Sequence, residues 1–242
     1  MQYKWMVAFI AVYALAGEPA HATVMTKAVE PVPPLKVTVG GIEPGEPIAP
    51  KFAFCQPDGK GRTKDGGNIS PAISWSGAPE QTRSFAVVVV DKDVPASFKF
   101  ANKEGEVIAE NAERQDFYHL LLVNIPTVVT SIHEGALSQG VVKGGKPFGN
   151  VSYGLTGKND YEKVAAGLNG GYDGPCPPWN DMRLHNYYFQ VYALDVSSLP
   201  LPSDGKFDGR QAQAMIDEHT IARGEVVGSF TNTPALIKKQ RK

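Results

Sequence analysis

The strongest constraint on the fold comes from residues 170–195, which are GGYDGPCPPWNDMRLHNYYFQVYALD. The first half is dense in glycine and proline, so it can form neither a helix nor an interior strand. The second half, residues 185–195, is rich in aromatic and β-branched residues and predicts a strand. His185 and Tyr187 would lie on one face at the start of this strand, directly after a stiff loop. A rigid strand at a loop mouth is a common place for a binding site.

The composition favours one β-rich globular domain. The chain has 242 residues, a formal net charge of -1 and 42% hydrophobic residues, which is enough for a core. Its 25 glycines and 19 prolines favour many turns and therefore a β fold. The near-neutral charge argues against a nucleic-acid-binding surface, which would normally be basic.

The N-terminus resembles a secretory signal peptide. Lys4 precedes a short apolar run at residues 5–16, and Ala20 and Ala22 flank His21 in a small-x-small cleavage site. We expect residues 1–22 to be removed after Ala22, leaving a secreted or periplasmic protein without stable membrane insertion. The alternative is an uncleaved anchor, for which the apolar run is short. Residues 23–242 would form one domain, with an extended lead-in at residues 23–50.

The chain has two cysteines, Cys55 and Cys176, both in loops rich in glycine and proline. In an oxidising compartment a pair favours a disulfide, and only one connectivity exists. The alternative is two buried thiols that never approach. Without a Cys-x-x-Cys motif or a nearby Cys/His cluster, we expect no metal site.

Hydrophobic patterns predict several strands and one good helix. The nearly continuous apolar run at residues 84–90 indicates a strand buried on both faces. Residues 207–223 form an amphipathic helix that Asp208 would cap and Gly224 would end, and residues 238–242 form a frayed tail. We predict a mainly β protein, an antiparallel β-sandwich with Greek-key-like order and one or two peripheral helices. The other predicted strands are residues 36–39, 73–75, 116–126, 185–195 and 225–230.

Two long connections contain features of uncertain role. Residues 96–115 lack periodicity and are either a functional loop or a floppy one. Residues 58–67, DGKGRTKDGG, lack the acidic spacing of a calcium site, so we expect a plain loop. A cis bond between Val94 and Pro95 is an open option.

Polar groups fall at the ends of three predicted strands. Asp91 and Asp93 end one strand with side chains pointing the same way, and His119 starts another, on the face of Leu121 and Val123. Antiparallel neighbours bring one strand's end beside the next one's start, so these groups and His185 with Tyr187 converge at one rim. Taken singly, each also fits a structural role: a hydrogen-bonded histidine, a turn-capping aspartate, a core tyrosine.

Four motifs carry a family resemblance: SPAISWSGAP, VVDKDVP, YHLLLVNIP, and GYDGPCPP with LHNYYFQVYALD. In this order, across residues 68–195, they resemble the phosphatidylethanolamine-binding proteins, particularly the bacterial Raf-kinase-inhibitor-like branch. The resemblance implies a β-sandwich whose small pocket binds phosphate, acetate or phospholipid head groups. The residues that it assigns to the pocket are Asp91, Asp93, His119, Gly174 and Pro175 in the wall loop 174–178, His185 and Tyr187.

The chain departs from the family pattern at three places. Lys92 replaces the usual proline between the two acids, and Leu120 stands where bacterial members often have tryptophan. The connection at residues 96–115 is longer than in compact members. The first change affects the turn between the acids, and the other two affect the mouth of the pocket.

Carboxylates beside an anion need a physical explanation, because they would repel it. We expect Asp91 or Asp93 to accept a hydrogen bond from a histidine and favour its protonated form. The imidazolium, the Tyr187 hydroxyl and loop N–H groups would then face the anion. Affinity should therefore fall as pH rises through the histidine pKa.

These observations favour a small-ligand or regulatory binding module that is not an enzyme and needs no cofactor or metal. The expected partner is a small anion or phosphorylated head group, not a nucleic acid. A hydrolase is a weaker alternative, because no motif activates a nucleophile. A further alternative is a protein-partner or protease-inhibitor module that acts through residues 96–115.

Overall fold

The computed structural model describes residues 34–164 and 167–240, all within the unit Val32–Lys242. The predicted signal peptide, its cleavage site and the lead-in up to residue 33 lie outside this part of the chain. The helices are α1 (Gly209–His219) and α2 (Pro234–Gln240), and short 3-10 turns lie at Pro50–Phe52 and Asp160–Lys163. The strands are β1 (Lys36–Val39), β2 (Cys55–Pro57), β3 (Thr63–Asp65), β4 (Ile73–Ser76), β5 (Ser84–Pro95), β6 (Arg114–Pro126), β7 (Ser131–Ile132), β8 (Gly145–Lys146), β9 (Gly149–Val151), β10 (Gly154–Thr156), β11 (Leu168–Asn169), β12 (His185–Leu194) and β13 (Thr220–Phe230).

Two antiparallel sheets form the body of the fold. The larger has the order β13-β12-β5-β6-β10-β9 and the smaller the order β1-β4-β7. Strand β12 returns by a long connection to lie beside β5, which gives the 4-1-2-3 order of a Greek key for β12, β5, β6 and β10. The predicted mainly β, antiparallel architecture is confirmed.

The central strands bury both faces, as the apolar run in β5 predicts. On one face Val87, Val89 and Phe189 belong to the same cluster as Ile73 and Trp75 of the smaller sheet. On the other face, alternate residues of β5, β6 and β12 pack with α1. Burying a large apolar side chain contributes about 1.5–3 kcal/mol, so these clusters fix how the sheets and α1 pack. The polar groups that follow are attached to this packed core.

Helix α1 begins where the sequence predicts but ends earlier. Asp208 accepts a hydrogen bond from the Gln211 N–H, and the Gln211 side chain bonds back to the Asp208 N–H, a complete capping box. The chain becomes strand β13 at Thr220, so the prediction that Gly224 ends the helix is wrong. The β-branched residues after His219 pair with β12 instead. The predicted frayed tail is also partly wrong, because residues 238–240 belong to α2.

Two irregularities in β5 and β6 redirect polar side chains. Val89 pairs with Leu120 but Val90 pairs with Tyr118, so His119 is an extra residue in β6. Histidine 119 therefore faces the same side as Leu120, and the prediction that it shares a face with Leu121 and Val123 is wrong. A second register shift lies between Asp91 and Val94. The Val94–Pro95 bond is trans, since the described residues contain no cis peptide.

Long connections are held by specific contacts. The Asn180 side chain donates to the carbonyls of Phe100 (2.8 Å) and Glu106 (3.0 Å), and the Asn180 backbone carbonyl accepts from the Ile108 N–H (3.0 Å). The predicted loop at residues 96–115 is thus pinned along its length. The segment at residues 58–67, predicted as a plain loop, instead contains strand β3, which pairs with β2.

A disulfide joins Cys55 and Cys176, whose Cα atoms lie 5.0 Å apart, as the sequence predicts. It ties the β2–β3 ladder to the loop that precedes β12. Among the described residues, no helix combines the length and apolar character needed to cross a bilayer.

Candidate ligand-binding site

A cavity of about 440 Å³ lies where the end of β5 and the starts of β6 and β12 meet the adjoining loops. Its most buried polar residues are Asp91, His119 and Tyr187, which are 1%, 3% and 0% exposed. Asp91 pairs with Tyr187 on one side and with Phe117 on the other, so the three strands place these side chains together. We call Asp91, His119 and Tyr187 the floor of the cavity.

Three of the seven residues predicted from the sequence line the cavity, and these are the floor residues. The other four, Asp93, Gly174, Pro175 and His185, lie outside it and support it. The predicted polar residues therefore lie close together at one rim of the sheet. Only three of the seven predicted residues face the cavity, and the other four support it.

His185 is buried between two carboxylates. Its Nδ1 donates to Asp91 Oδ2 at 2.6 Å, and its Nε2 donates to Asp181 Oδ2 at 3.2 Å. Asp181 is also held by Arg114, whose Nη1 and Nη2 donate at 2.6 and 3.0 Å. Both ring nitrogens of His185 are thus occupied inside the protein.

The surroundings of His185 stabilise its charged form. Burial alone would lower its pKa, but the charge of Asp91 and the hydrogen bonds to Asp181 and Asp91 outweigh burial and raise the pKa to about 9. Hydrogen bonds from His185 and Arg114 likewise outweigh burial for Asp181 and lower its pKa. The predicted acid–histidine pair is therefore present, between Asp91 of the floor and His185 behind it.

Asp93 forms a separate ion pair at the rim. Its carboxylate accepts from Arg183 Nε at 2.5 Å and from the side chain and backbone N–H of Asn186 at 2.9 and 3.0 Å. Its backbone N–H donates to Asp91 Oδ1 at 2.8 Å. The register shift after Asp91 turns the Asp93 side chain away from the cavity, so the prediction that both acids point the same way is wrong.

His119 is the histidine that faces the cavity. Its Nδ1 lies 2.6 Å from the carbonyl oxygen of Asp173, which can only accept, so Nδ1 carries the proton. Burial lowers the pKa of His119, against the charges of Asp91 and Asp173. The ring is therefore neutral, and Nε2 is an acceptor with no hydrogen bond in the described structure. The charged histidine and the cavity-facing histidine are two different residues.

Asp173 keeps His119 in place. Its carboxylate accepts from Asn68 Nδ2 and Asn159 Nδ2, both at 2.9 Å, and pairs with Lys146. Its N–H donates to the His119 carbonyl at 3.0 Å, so Asp173 holds His119 by both its backbone and its ring. This network fixes the tautomer and orientation of the ring.

The Tyr187 hydroxyl is the second polar group of the floor to which the described residues offer no hydrogen bond. Burial, followed by the charge of Asp91, raises its pKa well above the usual value, so the hydroxyl keeps its proton. It can donate one hydrogen bond to a ligand and accept another.

The Gly/Pro loop supports the cavity mainly with its backbone. The Gly174 N–H donates to Asn68 Oδ1, and the Pro175 carbonyl accepts from the N–H groups of Phe54 and Cys55. A Cβ on Gly174 would lie 1.9 Å from the Phe52 carbonyl oxygen, so only glycine fits there. These contacts leave the Gly174 N–H unavailable to a ligand, contrary to the predicted role of this loop's N–H groups. Cys176, Pro177 and Pro178 form the wall instead.

Sequence reasoning missed the residues that hold the floor from behind. The sequence WNDMR, directly before β12, supplies Asp181 and Arg183, and its polar density was a usable signal. Arg114 and Asp173 gave no comparable signal, because each lies beside its partner only after the chain folds.

The described residues contain no group of three or more His, Cys, Asp or Glu side chains arranged to hold a metal ion. The expectations of no metal and no cofactor remain predictions.

The fold and the site together define the family. The family model for phosphatidylethanolamine-binding protein matches residues 40–231. The chain therefore belongs to the phosphatidylethanolamine-binding protein family.

Individual relatives agree with this assignment. UPF0098 protein YbcL of Escherichia coli K12 is 32% identical over 191 residues, which cover 79% of this chain and 84% of that protein. UPF0098 protein PH1269 of Pyrococcus horikoshii is 30% identical over 168 residues, 69% of this chain and 67% of that protein. The crystal structure of E. coli YbcL has a TM-score of 0.56 and 30% identity, covering 81% of this chain and 98% of that one. The phosphatidylethanolamine-binding protein homolog CT736 of Chlamydia trachomatis has a TM-score of 0.54 and 27% identity, with 81% and 97% covered.

The raised pKa of His185 predicts a loss of stability in alkali. A group whose pKa rises from 6.5 to about 9 on folding stabilises the protein fully below pH 6.5 and loses that contribution as pH rises through about 9. The shift corresponds to about 3 kcal/mol of unfolding free energy. Urea unfolding between pH 6.5 and 9.5 measures it.

A His185→Gln variant removes the titrating ring and serves as the control. It should be less stable at pH 6.5 and show a flatter dependence on pH. Equal slopes in the two proteins would contradict the assignment of a charged His185.

Proposed function

We propose that this protein binds a small oxyanion, such as phosphate or a phosphorylated head group, in the cavity and does not catalyse a reaction. The single observation that carries the proposal is the pair of unsatisfied atoms on the floor, His119 Nε2 and Tyr187 Oη. Buried polar atoms normally have partners, and leaving one without costs about 1–3 kcal/mol. A ligand that bonds to both would remove that cost.

Charge compensation lets an anion approach the floor. Asp91 is neutralised by the His185 imidazolium, and Asp181 by Arg114. The remaining floor groups are an acceptor, His119 Nε2, and a donor, the Tyr187 hydroxyl. A singly protonated oxyanion matches this pattern, because its O–H donates to His119 while another oxygen accepts from Tyr187.

The binding proposal predicts a large effect from removing one hydroxyl. Tyr187→Phe keeps the ring but deletes the donor, and His119→Leu deletes the acceptor, so each should weaken phosphate binding by roughly tenfold or more. Isothermal titration of residues 23–242 with phosphate and phosphoethanolamine measures this. Tyr188→Phe is the matched control, because Tyr188 lies on the opposite face of β12 and should leave affinity unchanged.

Three outcomes would count against the proposal. Equal affinity in Tyr187→Phe and the wild type would place the anion elsewhere. Turnover of 4-nitrophenyl phosphate that His119→Leu abolishes would favour the hydrolase. No binding by the wild type would favour a protein partner at residues 96–115, where Phe100 and Val107 are 40% and 64% exposed.

Anion binding should weaken as pH rises. The hydrogen bond between His119 Nε2 and an oxyanion needs one proton. The O–H of a protonated ligand supplies it to the neutral ring, and with a fully ionised ligand the ring itself must take it up, against the burial that lowers its pKa. Affinity then falls with rising pH by up to roughly tenfold per pH unit, the limit for one coupled proton. Sulfate, which does not titrate near neutral pH, separates the protein's proton from the ligand's. Sulfate affinity that is unchanged between pH 5.5 and 8 would contradict protonation of His119.

We also propose that the protein works outside the cytoplasm, as a secreted or periplasmic protein. The supporting features are the signal-like residues 1–22 and the Cys55–Cys176 disulfide, which is typical of oxidising compartments. Full-length protein expressed in a Gram-negative host should be recovered from the periplasm with an intact mass that begins at Thr23. An Ala22→Tyr variant should keep the precursor mass, and a wild-type protein that stays uncleaved would support the anchor instead.

A further inference from the structure

The cavity is larger than its polar floor requires. A volume of about 440 Å³ is in the range of about 300–1,000 Å³ of pockets that enclose an organic molecule. The floor residues are at most 3% exposed, whereas the Lys163 side chain and Val164, which also line the cavity, are 41% and 51% exposed. Lys163 and Val164 therefore lie at the mouth, and the cavity has depth between mouth and floor.

An apolar belt separates the floor from the mouth. Tyr161 packs at a tilt against Phe54 at 4.6 Å and meets Phe117 edge-on at 5.4 Å between ring centroids. The Tyr161 hydroxyl donates to the Gly174 carbonyl at 2.5 Å, so its ring presents only apolar surface to the cavity. Phe98 and Pro177 extend the same lining. This belt has no polar group that could bind an inorganic ion, but an aromatic or branched aliphatic group could pack against it.

The mouth carries hydrogen-bond donors. Lys163 is the one lysine or arginine among the described residues that line the cavity. Its ammonium pairs with Asp160 Oδ1 at 2.7 Å, which leaves two of its three N–H groups for a ligand. Asn102 also lines the mouth, and its Oδ1 accepts from the Trp179 N–H at 3.0 Å, which orients the amide and leaves Nδ2 free to donate.

We propose that the ligand is a small amphipathic organic acid with two acidic ends, whose second acidic group binds Lys163 at the mouth. This inference rests on the proposed function, because the first acidic group, a phosphate monoester or a similar oxyanion, occupies the floor. An aryl or short alkyl body fills the belt. Lys163 then determines which phosphorylated molecules the protein prefers.

Three probes of increasing size test the inference by isothermal titration of residues 23–242: inorganic phosphate, phenyl phosphate and 4-carboxyphenyl phosphate. Phenyl phosphate should bind roughly tenfold more tightly than phosphate, because its ring loses water-exposed apolar area in the belt. The carboxylate should add roughly threefold, the size expected for a partly exposed ion pair.

Lys163 variants locate the second acidic group. Lys163→Met should remove the gain from the carboxylate while keeping the gain from the ring, and Lys163→Arg should keep both. Lys158→Met is the matched control, since Lys158 is also a partly exposed lysine paired with an acid, Glu162 at 3.3 Å, and does not line this cavity.

The outcomes separate this inference from the proposed function. Equal affinity for all three probes leaves the floor site intact and overturns the inference. A carboxylate gain that persists in Lys163→Met also overturns it. Failure of every probe to bind the wild type refutes the oxyanion function itself, and the inference falls with it.

Discussion

The buried ion pairs around His185 are the interaction on which the rest of the site depends. The imidazolium bonds to Asp91 on β5 and to Asp181, which Arg114 on β6 holds from the other side. Because His185 itself starts β12, one network joins the three central strands where they reach the cavity. Removing one member of such a network leaves an unpaired buried charge, which typically costs about 3–5 kcal/mol. The floor is thus positioned by groups that a ligand never touches, which is how a binding geometry is kept rigid.

The same pairing sets the charges and hydrogen-bonding groups that the cavity presents. Each acidic side chain near the floor forms an ion pair with a basic one. The floor would therefore distinguish ligands by their hydrogen-bonding groups more than by their net charge. Asp173 contributes by fixing the proton of His119 on Nδ1, which makes Nε2 an acceptor aimed at the ligand space. Under the proposed function, a floor of one acceptor and one hydroxyl would discriminate between protonation states of an oxyanion, which a simple cluster of lysines would not do.

The sequence predicts the strands and the region of the site, but not which polar residues face the cavity and which hold them in place. Alternation and the apolar run in β5 identify strands because each pattern lies within one segment. His119 is an extra residue only with respect to the pairing of β5 with β6. The pattern of residues in β6 alone therefore does not reveal on which face of the sheet the His119 ring lies. Helix α1 was predicted at its start by Asp208, whose cap is local, but was overextended because the pairing of β13 with β12 decides its end. Arg114 and Asp173 were missed for the same reason, since their roles arise from partners far away in the chain.

The three departures from the family pattern have unequal consequences. Leu120 packs in the core between the sheets, so the prediction that it affects the mouth of the pocket is wrong. Lys92 is exposed with its ammonium 4.7 Å from the centre of the Tyr188 ring and does not reach the cavity either. The long connection between β5 and β6 does reach it, through Phe98 and Asn102. Since Asn180 pins this connection to the segment that also carries Asp181, the mouth and the buried network are parts of one rigid assembly. A change of ligand preference in this chain would therefore arise at the mouth and belt, while the floor keeps its chemistry.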